Sequence, residues 1–159
     1  MLDAFFESGS SFLTEGRAIL AEEFGPDYGV YFSILAAIAA GATTSAELKA
    51  IVGADVNGYL TKLEDQYALV SKKQPLYEKP SGKNCHYQLD DCFFRFWFRF
   101  VYRYQYLVES GRYDELRAIV DRDFSTYSGE ALESYFRALF FERESYTRVG
   151  GWWDRKNEN

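Results

Sequence analysis

The stretch at residues 92–107, CFFRFWFRFVYRYQYL, constrains this chain more than any other: nine of its sixteen residues are aromatic and three are arginine. A membrane-spanning helix needs about 20 mostly apolar residues. This run is shorter, and Arg95, Arg99 and Arg103 would each cost about 2.5–3.5 kcal/mol at a bilayer centre, so it is not read as a span. Its period is mixed. Aromatics at every even position from 94 to 106 draw a strand, whereas Asp90 and Asp91 offer an N-cap and the arginines, spaced i, i+4, i+8, draw one cationic stripe along a helix. A usual strand holds about 5–6 residues, so the length selects a helix. Such a helix, wrapped in rings on most of its remaining circumference, must be buried between neighbours. Two roles for the stripe stay open. The arginines and flanking tyrosines form a surface for stacking and phosphate contact, or the arginines pair with nearby acids while Trp97 and the other rings fill a core. Residues 91–123 hold six acids and six arginines, so internal pairing can balance.

Composition narrows the class. At 47% hydrophobic and 26% charged, the 159 residues read as globular, enough for one ordinary domain or two very small ones. A net charge of −6 opposes non-specific coating of nucleic acid, because neutralising phosphates needs Lys and Arg. Two cysteines, Cys85 and Cys92, make no disulfide framework, and beside the single His86 they have no usual zinc spacing. The N-terminus lacks a basic segment followed by an apolar one, so a cytoplasmic setting is expected. The nearest approach to a phosphate-binding loop, Gly53 to Gly58, is followed by Tyr59 and Leu60 instead of Lys and Ser or Thr. Neither G-x-S-x-G nor H-E-x-x-H occurs. The residues alone predict an architecture and no reaction.

Along the chain, residues 1–26 read as an acidic connector with a short helix before Gly25-Pro26. Tyr28, Tyr31, Phe32, Leu35, Ile38 and Ala39 fall at helical spacing, and Gly41 supplies a stop. Thr44 with Glu47 fits a capping box for a second helix that ends at Gly53. Asp55 is expected to cap a third, with Val56, Tyr59, Leu60 and Leu63 on its apolar face. Two strand-like runs follow, YALVSKKQ and NCHYQLDD, separated by Pro75, Pro80 and Gly82. Three helices and then a hairpin is the order of a winged helix-turn-helix, expected over 27–90. An aromatic-rich helical connector is expected over 91–124, with a short helix at 112–123. A second amphipathic helix, with Leu132, Tyr135, Phe136 and Leu139 on one side, and a strand at YTRVGGWWDRK open a further domain over 125–159. The abrupt end at Asn159 reads as truncation. The expected fold class is mainly α within α+β.

A winged helix docks its third helix in the major groove. Here residues 55–66 carry Asp55, Glu64 and Asp65 against Lys62 alone, which opposes phosphates and favours protein contact. The hairpin differs: Lys72, Lys73, Lys79 and Lys83 against Glu78 make it basic, so double-stranded DNA contact through the wing stays open.

The segments YFSILAAIAAGATTSAELKAIVG, YLTKLEDQYALVSKKQPL, YQLDDCFFRFWFRFV and VGGWWDRK, in that order, resemble the C-terminal half of archaeal-type, AAA-like P-loop ATPases. The resemblance covers about residues 12–156. It implies a missing upstream ATPase core, a winged helix, and a C-terminal domain of unknown function similar to PD-(D/E)xK nucleases. In that domain carboxylates would hold a divalent metal that activates water at a phosphodiester. The glutamate of its first helix matches Glu133, while the later acidic pair and lysine have no counterpart before Asn159. The resemblance therefore implies a non-catalytic fragment, with no cofactor of its own. ATP and magnesium belong to the parent protein. The expected partners are a protein or a second copy, for which Trp97, Trp152, Trp153 and the three arginines are the contact or core candidates.

Overall fold

The computed structural model describes residue 6 and residues 10–74 and 85–143. These form seven α-helices and one hairpin: α1 (Ser11–Phe24), α2 (Tyr28–Ala39), α3 (Ser45–Val52), α4 (Asn57–Asp65), β1 (Val70–Lys73), β2 (His86–Leu89), α5 (Cys92–Phe96), α6 (Gln105–Glu109) and α7 (Tyr113–Glu142). A 3-10 turn joins α1 to α2, and a π-helical segment, Trp97–Tyr102, follows α5. The chain is mainly helical with a two-stranded antiparallel sheet, the class expected.

Local chemistry accounts for the first half. In α2, Tyr31, Phe32, Ile34, Leu35 and Ile38 are buried, which is the face set by helical periodicity. Gly41 follows the helix at φ 107°, a backbone region that favours glycine. The Thr44 hydroxyl accepts the Glu47 N–H, and the Glu47 carboxylate accepts the Thr44 N–H at 2.9 Å, so the capping box at α3 is complete. Gly53 closes α3 in the left-handed region and donates to Lys49 O. Asp55 acts slightly differently from expectation. Helix α4 starts at Asn57, whose backbone and side-chain N–H groups both donate to Asp55 Oδ1. Val56, Leu60 and Leu63 point into the core. The strands then pair Val70 with Leu89 through Lys73 with His86.

The aromatic run forms the second half of the core. Asp91 caps α5 by accepting the Phe94 N–H at 2.8 Å. The helix then widens, with Arg103 N–H donating to Phe98 O five residues back. Trp97, Phe98, Phe100 and Val101 are buried there. Phe32 of α2 touches Phe98 at 5.2 Å and Tyr102 at 4.9 Å between ring centroids, so the two halves share one core.

Two expectations change. The helix expected before Gly25-Pro26 is present, but it is 14 residues long and part of the core rather than of a connector, with Leu13, Leu20 and Phe24 buried. It packs on the aromatic run: Trp97 Nε1 donates to Leu13 O at 3.3 Å, and a Cβ on Gly16 would lie 2.4 Å from the indole. The spacing of its apolar residues concealed this, because glycine supplies part of the buried face. The second change is α7. The two helices expected at 112–123 and from 128 onward are one helix of 30 residues that runs through Gly129, and the boundary at 124/125 lies within it. The strand expected at 146–156 lies outside the described residues.

The same substitution is expected to act oppositely at these two glycines. Gly16→Ala overpacks the Trp97 contact and should cost about 1–3 kcal/mol. Gly129→Ala meets open space in a helix interior and should add about 0.5–1 kcal/mol. Urea unfolding of both variants checks the signs, and equal signs would contradict this packing.

Candidate functional site

Three surfaces hold the residues singled out by sequence. The first is the hairpin with α4. The outward face of α4 presents Asn57, Gly58, Thr61, Lys62 and Asp65, all exposed. Ser45 Oγ donates to Asn57 Oδ1 at 2.9 Å, which ties the start of α4 to α3. Glu64 turns toward the hairpin and accepts the Lys72 N–H at 3.3 Å. The Lys72 side chain is exposed, whereas Lys73 lies 4.0 Å from Asp90 Oδ1. Lys79 and Lys83 fall outside the described residues.

The hairpin is anchored to the helices by a small polar cluster. Tyr87 N–H donates to Thr43 O at 2.7 Å, and His86 Nδ1 lies 2.8 Å from Thr43 Oγ1. Thr43 N–H in turn donates to Glu47 Oε2 at 2.9 Å. These contacts hold Glu47 below its ordinary pKa of 4.5. The backbone N–H of Thr44 is the largest cause, followed by that of Thr43.

The second surface is the arginine stripe. Arg95, Arg99 and Arg103 have different surroundings along the widened helix. Arg95 is half-buried, with its Nε enclosed and lacking an acceptor among the described residues. The Arg99 guanidinium lies 5.7 Å from the Phe100 ring centroid and 5.8 Å from that of Tyr127. Arg103 is exposed, 5.9 Å from the Tyr104 ring centroid. Facing them on α7, Asp123 is engaged by Arg122 at 2.6 and 2.9 Å. That pairing is the main reason the Asp123 carboxyl sits below its ordinary range, and the charges of Arg99 and Arg103 add to it. Trp97 is buried core, and Trp152 and Trp153 lie outside the described residues.

The third surface is the outer half of α7. Leu116, Val120 and Tyr127 bury its first half, and Tyr127 donates to Cys92 O at 3.2 Å. Beyond Tyr127 the contacts change. Leu132, Tyr135 and Phe136, which sequence pattern put on one side of an amphipathic helix, are all more than 40% exposed, as is Phe140. Glu133, the residue matched to a nuclease carboxylate, lies on this outer half and accepts from Arg137 Nη2 at 2.5 Å. Among the described residues no group of three or more His, Cys, Asp or Glu is placed to hold a metal ion, and no helix is long and apolar enough to cross a membrane. Periodicity marked the apolar side of this helix but does not report whether that side is covered.

Residues 97–159 match a family model described as archaeal and bacterial proteins of unknown function (DUF234). That match covers less than half of the chain and contains the aromatic run from Trp97 onward and α7. An uncharacterized protein of Methanocaldococcus jannaschii, MJECL04, is 28% identical over 140 residues, covering 80% of this chain and 31% of that protein. This chain therefore spans about a third of the length of the curated relative it matches. No solved structure matches the chain.

The Glu47 carboxylate gives this region a pH signature. Its folded pKa is depressed, so its contribution is present above pH 4.5 and is lost as pH falls through the folded value. Glu47→Gln keeps an acceptor for the capping box but cannot titrate. The variant should lose less stability than the parent as pH falls below about 4.5, read from urea midpoints across an acid series. An unchanged acid limb would assign that limb to other carboxylates.

Proposed function

We propose that this chain is a non-catalytic interaction region of a larger archaeal-type ATPase, with a winged helix as its rigid platform and the outer half of α7 as its contact face for protein. The observation that carries the reading is the exposed row Leu132, Tyr135, Phe136 and Phe140. These positions fall at i, i+3, i+4 and i+8, so they share one flank of a helix. Helical segments of this length are marginal in water without a packed face, and contiguous exposed apolar surface marks an interaction site.

Other features agree with it. The order of three helices and a hairpin, with the hairpin tied to the helices through Thr43, suits a rigid winged-helix platform. The outward face of α4 offers one cation, Lys62, beside Asp65, which suits protein contact better than a phosphate-lined groove. The limited share of the relative that is matched suits a part of a longer protein. In this reading ATP and magnesium act on the rest of the parent. Glu133 serves as helix surface, because its Arg137 partner would have to be displaced before a metal could bind.

A second reading, duplex DNA bound through the lysine wing, draws on the exposed Lys72 side chain. Light scattering across a concentration series, with and without a short duplex, separates the two. The chain is expected to self-associate through the α7 row regardless of duplex, and Phe136→Asp with Phe140→Asp should return it to monomer. A monomer that shifts only with duplex, and no longer shifts after Lys72→Glu with Lys73→Glu, would replace the first reading by the second.

A further inference from the structure

The outer half of α7 carries an ordered surface as well as an exposed one. Its rings touch one another: between centroids, Tyr135 and Phe136 lie 5.7 Å apart and Phe136 and Phe140 lie 6.3 Å apart. Leu132, Phe136 and Phe140 are spaced i, i+4, i+8, one of the ridges along which helices pack. Glu133 and Arg137 each follow a member of that ridge by one residue, so both lie along the same flank of it. They pair at 2.5 Å, and their side chains remain 63% and 38% exposed, within reach of an approaching molecule. Residues 132–140 contain no other charged residue, so this stretch is neutral on a chain whose net charge is −6.

We infer that a second copy of this chain covers the row, its α7 running antiparallel across a two-fold axis at Phe136. The inference rests on the reading of outer α7 as a contact face for protein, and it names the occupant. A two-fold contact requires a patch that matches its own reverse. The ridge does so: with Phe136 on the axis, Leu132 of each copy faces Phe140 of the other. The flank does so too. Glu133 of one copy comes within two residues, about 3 Å along the helix, of lying opposite Arg137 of the other, a gap that these long side chains span. The two intrahelical ion pairs thereby join into a four-membered network across the contact. A parallel pairing would set Glu133 against Glu133 and Arg137 against Arg137, which repel. A partner drawn in by charge would select a flank of one sign, and this flank carries both. The antiparallel sense also puts the packed first halves of α7, anchored by Leu116, Val120 and Tyr127, at opposite ends of the pair.

The test is sedimentation equilibrium of the full chain across a concentration series at low salt. The parent chain should reach a dimer and stop there, because a two-fold contact closes on itself. Glu133→Arg and Arg137→Glu should each raise the dimer dissociation constant about tenfold, since two attractive pairs become two repulsive ones. Glu133→Arg combined with Arg137→Glu should restore the parent value. An equimolar mixture of the two single variants should form the mixed dimer. Repulsion within each helix persists in that mixture, so recovery there comes from the contact between copies, and it shows that the single variants are folded. A chain that is monomeric at every concentration overturns the inference and leaves the face to a different protein. A dimer unmoved by Phe136→Asp takes the contact off the row and overturns the underlying reading as well. A dimer weakened by Phe136→Asp but indifferent to both charge reversals overturns the antiparallel pairing.

Discussion

Trp97 is held from three sides, and much of the fold depends on how. Gly16 of α1 lets the indole approach a helix backbone so closely that any side chain there would collide with it. Its Nε1 finds the one acceptor it needs in Leu13 O. Phe32 of α2 meets it edge-on at 6.3 Å, and Tyr102 stacks on it at 5.9 Å. A buried indole without a hydrogen-bond partner would cost about 1–3 kcal/mol, so the Leu13 contact is what makes the burial tolerable. Through this one side chain the first helix, the three-helix unit with its hairpin, and the aromatic run become a single packed body.

The parts of this arrangement that were legible in the sequence are those governed by neighbours in the chain. Thr44 and Glu47 lie three residues apart, and their reciprocal bonds close within one helical turn. Asp91 likewise caps the helix that begins beside it. The face of α2 follows from periodicity because one side of that helix is buried along its length. The illegible parts depend on distant partners. Helix α1 shows weak periodicity because a glycine, an apolar residue only by virtue of Trp97 above it, fills a core position. The left-handed backbone at Ala68 carries no glycine to announce it, although it sets the turn from α4 into β1. The break expected between residues 123 and 128 is one that the helix does not make, and it runs on through Gly129. One glycine costs only about 1 kcal/mol in a helix interior, less than the propensity and packing of a 30-residue helix can offset.

The candidate surfaces were legible to different degrees for the same reason. Charge counts along residues 91–123 balance, yet spatial placement does not follow the count. Arg112 and Glu115 pair with each other within one turn, as do Arg122 and Asp123 by adjacency. Those local pairs consume acids and leave Arg103 with rings as its company. A tally over a window treats all acids as available to all bases. Helix geometry makes most of them available only to residues one, three or four positions away.

Helix α7 joins the packed core to the proposed contact face. Its first half is anchored by Leu116, Val120 and Tyr127 and presents Arg122 and Asp123 to the arginine stripe. Its second half carries the exposed apolar row. A rise of about 1.5 Å per residue puts the midpoint of that row roughly 20 Å from Arg122. A protein seated on the outer half would therefore leave the packing around Arg122 and Asp123 untouched. At the junction of the two halves Tyr127 touches Phe96, Phe100 and the Arg99 guanidinium at once. Tyr127 is thus the last buried residue of α7 among those described, and it marks where the packed first half gives way to the exposed row.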